Sequence, residues 1–196
     1  LHLCDYNLES ISDYDSNAKH KLLLEVCMAA KYEGDSIKTP YTIHQQTNEG
    51  TASQLCTVLA RSFADIGDII RGKDLYLGNP QEKTKREQLE NNLKTIFGHI
   101  YEELKKDNDN AALQARYNDT DKNYYKLRED WWTVNRDQVW KAITCSADHG
   151  NRYFRKTCND NETLSQANDK CRCKKKNNTP DDQVPTYFDY VPQSLR

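Results

Sequence analysis

The sequence has no long apolar run, and none of its segments approaches the roughly 20 residues that a membrane-spanning helix requires. Its opening residues, Leu1 to Leu8, already include a cysteine, an aspartate and an asparagine, which excludes a secretory signal peptide at this position. We therefore predict no membrane insertion by this segment. If the protein is extracellular, its export and anchoring signals are expected elsewhere in a longer polypeptide.

The sequence also lacks an excess of charge and any catalytic signature. Its formal net charge of −2 predicts no whole-protein attraction to nucleic acid or membranes, so a polyanion would need a local basic patch. It contains no glycine-rich phosphate loop, no H-E-x-x-H motif and no G-x-S-x-G motif. Asp65 and Asp68 lie three residues apart, which is more typical of a salt-bridged helix face than of an acid–base pair. We predict a protein that is not an enzyme and that needs no cofactor.

Cysteine, in contrast, is abundant, with seven residues that could serve either disulfides or zinc. Zinc sites use paired C-x2-4-C knuckles, whereas this chain has one C-x-C, Cys171 to Cys173, and scattered histidines. The pattern favours disulfides without a metal site, and hence an extracellular or cell-surface domain. The odd number leaves one cysteine without a partner inside the chain. Cys4 fits that role, since a partner could lie upstream of residue 1.

Four segments have the apolar periodicity of amphipathic helices, and they cover approximately residues 15–32, 55–70, 84–105 and 123–145. Gly34 is expected to end the first helix and Gly72 the second. Gly67 lies inside the second helix, where glycine costs about 1 kcal/mol relative to alanine. Its presence there predicts the close approach of a neighbouring helix.

Three tryptophans, Trp131, Trp132 and Trp140, cover more than one face of the fourth helix and predict that it is central. At helical spacing such rings are far more often core than a platform for sugars. Residues 38–52 and 107–122 are expected to be long polar loops, and the chain after residue 145 an irregular tail held by cystines. Strand signals are weak. The fold prediction is an all-α, disulfide-stabilised helical bundle with long loops.

Four ordered motifs resemble those of Duffy-binding-like domains, most closely the alpha type carried by variant surface antigens of malaria parasites. They are S-F-A-D-I-G-D-I-I-R-G-K-D at 62–74, N-N-L-K-T-I-F at 91–97, L-R-E-D-W-W-T-V-N-R-D-Q-V-W-K-A-I-T-C at 127–145 and V-P-Q-S-L-R at 191–196. The likeness covers nearly the whole chain, with one departure at Ser194, where the family typically has an aromatic residue. It implies an adhesion domain of three subdomains. Residues 1–12 would end the first, 13–185 form the second and 186–196 begin the third.

The resemblance also implies disulfide pairing among six of the cysteines. Cys4 would form its disulfide with a cysteine elsewhere in the first subdomain. A Cys27–Cys145 bond would join the first and fourth helices. The other four would pair among themselves, Cys56 with Cys171 or Cys173 and Cys158 with the remaining one.

Two basic clusters are candidates for glycan binding. The tail run places five positive charges in seven residues, at Lys170, Arg172, Lys174, Lys175 and Lys176. The second cluster, before the third helix, contains Lys83, Lys85 and Arg86. Clustered cations suit sulfated glycosaminoglycans because many screened contacts add and release counterions; the alternative for both clusters is a merely solvating surface. The resemblance implies heparan sulfate-like and blood-group sugars as ligands.

Two functions follow from this resemblance. In the first, the segment is a host-cell adhesion module on the extracellular face of the infected erythrocyte membrane, within a longer membrane-anchored protein. It would bind erythrocyte receptors and glycans in rosetting and would meet host antibodies, with residues 107–122 suited to antigenic variation. In the second, it is an architectural spacer, and neighbouring domains of the same polypeptide bind the host. A third class, a secreted helical enzyme, has no supporting residues.

Overall fold

The computed structural model describes residues 18–47, 54–75, 78–107, 111–159, 163–175, 177 and 181–196. These residues form five α-helices, which are α1 (Ala18–Thr47), α2 (Gln54–Arg71), α3 (Pro80–Asp107), α4 (Ala111–Tyr117) and α5 (Tyr125–Ile143). The tail adds an antiparallel hairpin of β1 (Lys156–Asn159) and β2 (Leu164–Gln166), then two 3-10 turns, Phe188–Tyr190 and Gln193–Leu195. The predicted all-α class is confirmed. None of the described helices is both long and apolar enough to cross a membrane.

The core lies between α1, α2, α3 and α5, and the predicted apolar stripes supply it. On α2 the stripe is fully buried, at Leu55, Leu59, Phe63, Ile66 and Ile70. The rings of Trp132 and Trp140 both pack on Phe63, with centroids 5.1 and 5.2 Å away. Trp131 makes an edge contact with Phe97 of α3 at 6.1 Å. All three tryptophans are buried, as predicted, so none presents a ring to a sugar.

The glycines of α2 behave as expected. A side chain at Gly67 would come within 2.7 Å of the Trp132 ring, so its absence lets α5 approach. Gly72 follows the last residue of α2 with a φ of 71°, a conformation that glycine adopts without strain. Both glycines therefore have the roles that the sequence predicts.

The expectation that Gly34 ends the first helix is wrong, because α1 continues to Thr47 and includes Pro40. Gly34 is instead a contact glycine, since a Cβ atom there would overlap the backbone carbonyl oxygen of Ile143 in α5. Pro40 removes one backbone hydrogen bond from the helix. Part of the predicted 38–52 loop is therefore helical, and residues 48–53 lie outside the described residues.

We expect Gly34→Ala to destabilise the domain by about 1 to 3 kcal/mol, because the added methyl group meets backbone that cannot rotate away. Gly98→Ala in α3 is the matched control. There the new Cβ would lie 3.5 Å from the nearest atom, the Tyr124 hydroxyl, and helix propensity should give a gain of about 0.5 to 1 kcal/mol. Urea unfolding of both variants measures the difference. Equal shifts in the same direction would contradict the role given to Gly34.

The predicted 107–122 loop is only partly a loop, since it contains α4. Arg116 makes a bidentate ion pair with Asp130 of α5, with N–O distances of 2.8 and 2.9 Å. The Tyr117 hydroxyl donates to the same carboxylate at 2.6 Å. This segment is therefore attached to α5 rather than uniformly mobile; residues 108–110 lie outside the described residues.

Two disulfides tie the tail to the bundle and to itself. Cys56 of α2 is bonded to Cys171, and Cys158 of β1 to Cys173. This pairing is one of the two that the family resemblance left open. The Trp140 indole also donates to the Cys171 carbonyl oxygen at 3.1 Å. The tail is therefore fixed to the core at Cys171.

The predicted Cys27–Cys145 bond is wrong, because both residues have free thiols. Helices α1 and α5 lie side by side with Gly34 next to Ile143, so Cys27 faces residues 137–142. Ser146, next to Cys145, forms a hydrogen bond with Asp35. Asp35 lies eight residues beyond Cys27, which is about 12 Å along α1 at 1.5 Å per residue. A disulfide needs Cα atoms within about 7 Å. Burial, and to a lesser extent the negative charge of Asp137, raises the pKa of the Cys27 thiol to about 11. Cys4 lies outside the described residues.

A buried charge network joins the C-terminal turns to α2 and α5. Asp68 is 4% exposed and accepts a hydrogen bond from Arg71 at 3.0 Å. The Arg196 guanidinium forms an ion pair with Asp65 at 2.9 Å. It also lies 2.6 Å from the Asp68 carboxylate, in a charge contact whose geometry is not that of a hydrogen bond. Burial raises the pKa of both aspartates, against the lowering effect of Arg196. The interpretation of these acids as a salt-bridged face is confirmed.

Candidate functional site

The tail run of basic residues lies on a segment whose backbone is held from both sides. Cys171 and Cys173 are both in disulfides, and the Cys171 amide donates to the Asn151 carbonyl oxygen at 3.0 Å. Lys170 and Cys171 have left-handed backbone conformations, with φ of 52° and 58°. A side chain on such a fixed turn loses little backbone entropy when it binds a ligand.

Arg172, one of the five predicted cations, points into the protein. Its guanidinium donates to the Lys141 carbonyl oxygen at 2.6 Å and to the Thr144 hydroxyl at 2.9 Å. Burial lowers its pKa. Arg172 thus donates to one carbonyl oxygen and one hydroxyl group at the end of α5, and we exclude it from the candidate surface.

The three tail lysines within the described residues differ in their surroundings. Lys174 pairs with Asp169 at 2.9 Å, and the same carboxyl contacts His149 at 2.7 Å. The hydrogen bond from Lys174 is the main cause that lowers the pKa of Asp169. Lys175 is exposed and Lys170 is partly exposed, while Lys176 lies outside the described residues. The run is therefore a mixed surface rather than five freely presented charges.

The second cluster occupies the first turns of α3. Lys83 and Lys85 are exposed, with Lys83 3.9 Å from Glu87. Arg86 is partly buried and lies 3.7 Å from Asp74. This cluster borders a cavity beside Gly72 at the C-terminal end of α2. The tail run is attached to α2 at Cys56. Cys56 lies 16 residues from Gly72, or about 24 Å along the helix, so the two clusters do not form one patch.

Residues that the sequence reasoning missed lie around this cavity and around a second one beside it. They are Asn91 and Lys94, shared by both cavities, with Tyr125 in the first and Tyr124 and Lys122 in the second. Asn91 and Lys94 lie in the middle of α3, Tyr125 begins α5, and Lys122 and Tyr124 lie in the polar segment before it. Only the tertiary structure brings them together. Within the described residues no group of three or more histidine, cysteine or acidic side chains could hold a metal ion.

The fold and its cystines define a mostly helical, disulfide-stabilised domain of the kind found in oxidising compartments. The chain belongs to the Duffy binding domain family, whose model matches residues 1–196. The resemblance seen in the sequence is therefore confirmed. Duffy-binding domains of the parasite protein PfEMP1 are adhesion domains and not enzymes. No curated protein matches the chain.

Solved structures of this family superpose on the chain. The NTS-DBL1(alpha-1) domain of Plasmodium falciparum membrane protein 1 (PfEMP1), varO strain, is 40% identical with a TM-score of 0.74; the match covers 99% of this chain and 40% of that one. The ICAM-1-binding PfEMP1 IT4var13 DBLbeta domain is 32% identical with a TM-score of 0.70, and the match covers 100% and 39%. The chain thus spans about two fifths of the length of these relatives.

Proposed function

We propose that this domain is a host-cell adhesion module of a malaria-parasite variant surface antigen. Its family supports this, as does its likeness to a DBLbeta domain whose structure was solved bound to ICAM-1. In this proposal the domain lies on the extracellular face of the infected erythrocyte membrane and binds erythrocyte receptors or glycans in rosetting. Host antibodies and neighbouring domains are its other partners, with antigenic variation in surface segments such as 107–122.

The observation that carries glycan binding is the presentation of lysines on a cystine-fixed turn. Lys170, Lys174 and Lys175 fall within six residues that two disulfides connect to α2 and to β1. Sulfated glycans bind through many moderate charge contacts, so a rigid display of cations favours them. We propose this turn, with Lys176, as the primary site for sulfated glycans.

Acidic residues that offset the charge of the tail lysines favour a second candidate function, in which the domain is an architectural spacer. Asp169 compensates Lys174, and Asp182 is held by Lys141 while it lies near Lys175. The net positive potential of the turn is thereby reduced. In this alternative the neighbouring domains bind the host, and the segment from 186 to 196, proposed as the start of a third subdomain after 13–185, connects them.

We expect charge reversal at Lys174, Lys175 and Lys176 to shift elution from heparin to lower salt, because three cations adjacent in the sequence become anions. Reversal of Lys19, Lys106 and Lys126, exposed lysines on three helices, changes the net charge equally and is the matched control. A salt gradient on immobilised heparin compares the two. If both triple variants shift equally, or neither shifts, the spacer interpretation replaces glycan binding at the turn.

A further inference from the structure

The segment that leads into β1 exposes three basic side chains around a phenylalanine. Arg152, Arg155 and Lys156 are exposed, and the Phe154 ring between them is 43% exposed. These four residues fall within five consecutive positions, so their Cα atoms lie within about 14 Å of one another. The stretch from 151 to 157 contains no acidic residue. We call these four side chains the Arg–Phe strip.

The charges of the Arg–Phe strip are not offset by neighbouring acids. Within the described part of the chain, none of its three basic side chains makes a hydrogen bond or an ion pair. Asp148, the acid that precedes the strip in the sequence, pairs with Lys38 at 2.9 Å. Asp189, whose charge acts on Tyr153, is buried and pairs with Arg136 at 2.8 Å. The strip therefore differs from the tail run, where acids face the lysines.

The backbone of the strip is held on both sides. The Tyr153 amide donates to the Ala167 carbonyl oxygen at 2.8 Å, and its buried hydroxyl donates to the Thr186 hydroxyl at 3.1 Å. The Thr157 hydroxyl donates to the Pro185 carbonyl oxygen at 2.5 Å, and a disulfide follows in β1. Side chains on a backbone fixed in this way lose little backbone entropy when they bind a partner.

The exposed ring is part of an aromatic cluster that orients it. The centroid of Phe154 lies 4.8 Å from that of Tyr153 and 6.3 Å from that of Phe188. The Arg155 guanidinium lies over the Phe154 ring, 4.9 Å from its centroid. A guanidinium stacked on a ring keeps the N–H groups at its edge available for a carboxylate. The strip thus presents an apolar surface and a forked donor side by side.

This combination favours a protein partner over a glycan or a membrane. Arginine and aromatic side chains are the residues that contribute most to binding at protein–protein interfaces. A sulfated glycan satisfies cations but supplies no large apolar group to cover the ring. Membrane insertion needs several protruding apolar groups, whereas Phe188 is partly buried and Phe154 alone protrudes from the strip.

We infer that the Arg–Phe strip is a docking surface for an acidic segment of a partner protein, with an apolar side chain between its carboxylates. The carboxylates bind Arg152, Arg155 and Lys156, and the apolar side chain covers Phe154. This inference deepens the proposed adhesion function and rests on it, because it gives the domain a protein contact of defined chemistry. It does not depend on the tail lysines.

The test uses a fluorescein-labelled peptide, G-E-E-F-E-E-G, whose binding to the domain is followed by fluorescence anisotropy. We expect saturable binding that weakens as salt rises from about 0.05 to about 0.5 M, because the charge contacts are screened. The peptide G-E-E-G-E-E-G has the same charge and no ring. It should bind about five- to tenfold more weakly, because it cannot cover Phe154.

Two variants of the domain locate the binding surface, each with a matched control. Arg155→Glu should weaken binding of the phenylalanine peptide at least about tenfold. Arg61→Glu makes the same charge change at an exposed arginine of α2 and should leave binding unchanged. Phe154→Ala should weaken binding about five- to tenfold. Tyr32→Ala removes a ring of similar exposure, 45% against 43%, from α1 and should have no effect.

Circular dichroism checks that each variant is folded, and the milder change Arg155→Gln replaces Arg155→Glu if that variant unfolds. The inference is overturned if the phenylalanine peptide does not bind, if the two peptides bind equally, or if strip and control variants behave alike. It is also overturned if Arg155→Glu lowers heparin retention while the peptide binds neither protein, since the strip would then be a glycan surface. The heparin test of the tail lysines is separate, and its failure counts against the proposed glycan site instead.

Discussion

Replacing Asp189 by alanine is expected to lower the free energy of unfolding by about 3 to 5 kcal/mol, because it leaves a largely buried arginine without its counter-charge. Asp189 is 1% exposed in the first 3-10 turn. Its carboxylate accepts hydrogen bonds from Arg136 at two positions, both 2.8 Å, and from the Trp132 indole at 2.9 Å. One side chain therefore satisfies three donors on α5.

The matched control is Asp182→Asn, an aspartate that is also paired with a residue of α5 but is exposed. Surface ion pairs are worth about 0 to 1 kcal/mol, so we expect a shift within that range. Asp189→Asn keeps the shape and one acceptor and should fall between the two. Guanidinium unfolding, followed by tryptophan fluorescence, measures all three. A loss for Asp189→Ala no greater than for Asp182→Asn would show that the C-terminal turns are not integral to the fold.

Removing the Cys56–Cys171 bond by double alanine substitution is expected to cost about 4 to 5 kcal/mol, and removing Cys158–Cys173 about 3 kcal/mol. The reason is chain entropy: the first bond spans a sequence separation of 115 residues and the second only 15, so the first restricts the unfolded chain more. The first also anchors the lysine turn to α2, so its loss should weaken heparin retention as well as stability.

The second double variant is the natural control for the first, since each removes one cystine from the same tail. Urea unfolding under non-reducing conditions measures both, and thiol labelling of the unfolded chain checks which cysteines are free. Cys27 and Cys145 should be labelled in the unreduced protein. Equal losses from the two variants, or a larger loss from Cys158–Cys173, would contradict the loop-length argument.

The parts of the fold that local pattern governs could be predicted. Helices α2, α3 and α5 follow from apolar spacing, and the three tryptophans of α5 are predicted to lie in the core because rings on several faces need a partner on each. The continuation of α1 could not be predicted, since Gly34 has the local character of a helix end. Gly34 instead allows contact with the backbone of Ile143, which lies more than 100 residues away in the sequence.

The candidate sites also combine features that the local sequence predicts with features that only the tertiary structure decides. The sequence identified Lys175 and Arg172 as equivalent cations, yet Lys175 is exposed and Arg172 donates to the Lys141 carbonyl oxygen of α5. Charge is a property of the residue, whereas its availability depends on which groups surround it. The cavity beside α3 was missed for this reason: Asn91 and Tyr125 are unremarkable in their own segments and line one cavity only because α3 meets α5.

The sequence by itself determined the class of fold, the family, the use of cysteine in disulfides and the absence of catalytic motifs, because these depend on composition, periodicity and ordered motifs. The tertiary structure alone decided which cysteines pair, where α1 ends, which basic residues face solvent and where a cavity opens. Those features depend on the register between helices. Register follows from packing that involves the whole chain, such as the offset that separates Cys27 from Cys145.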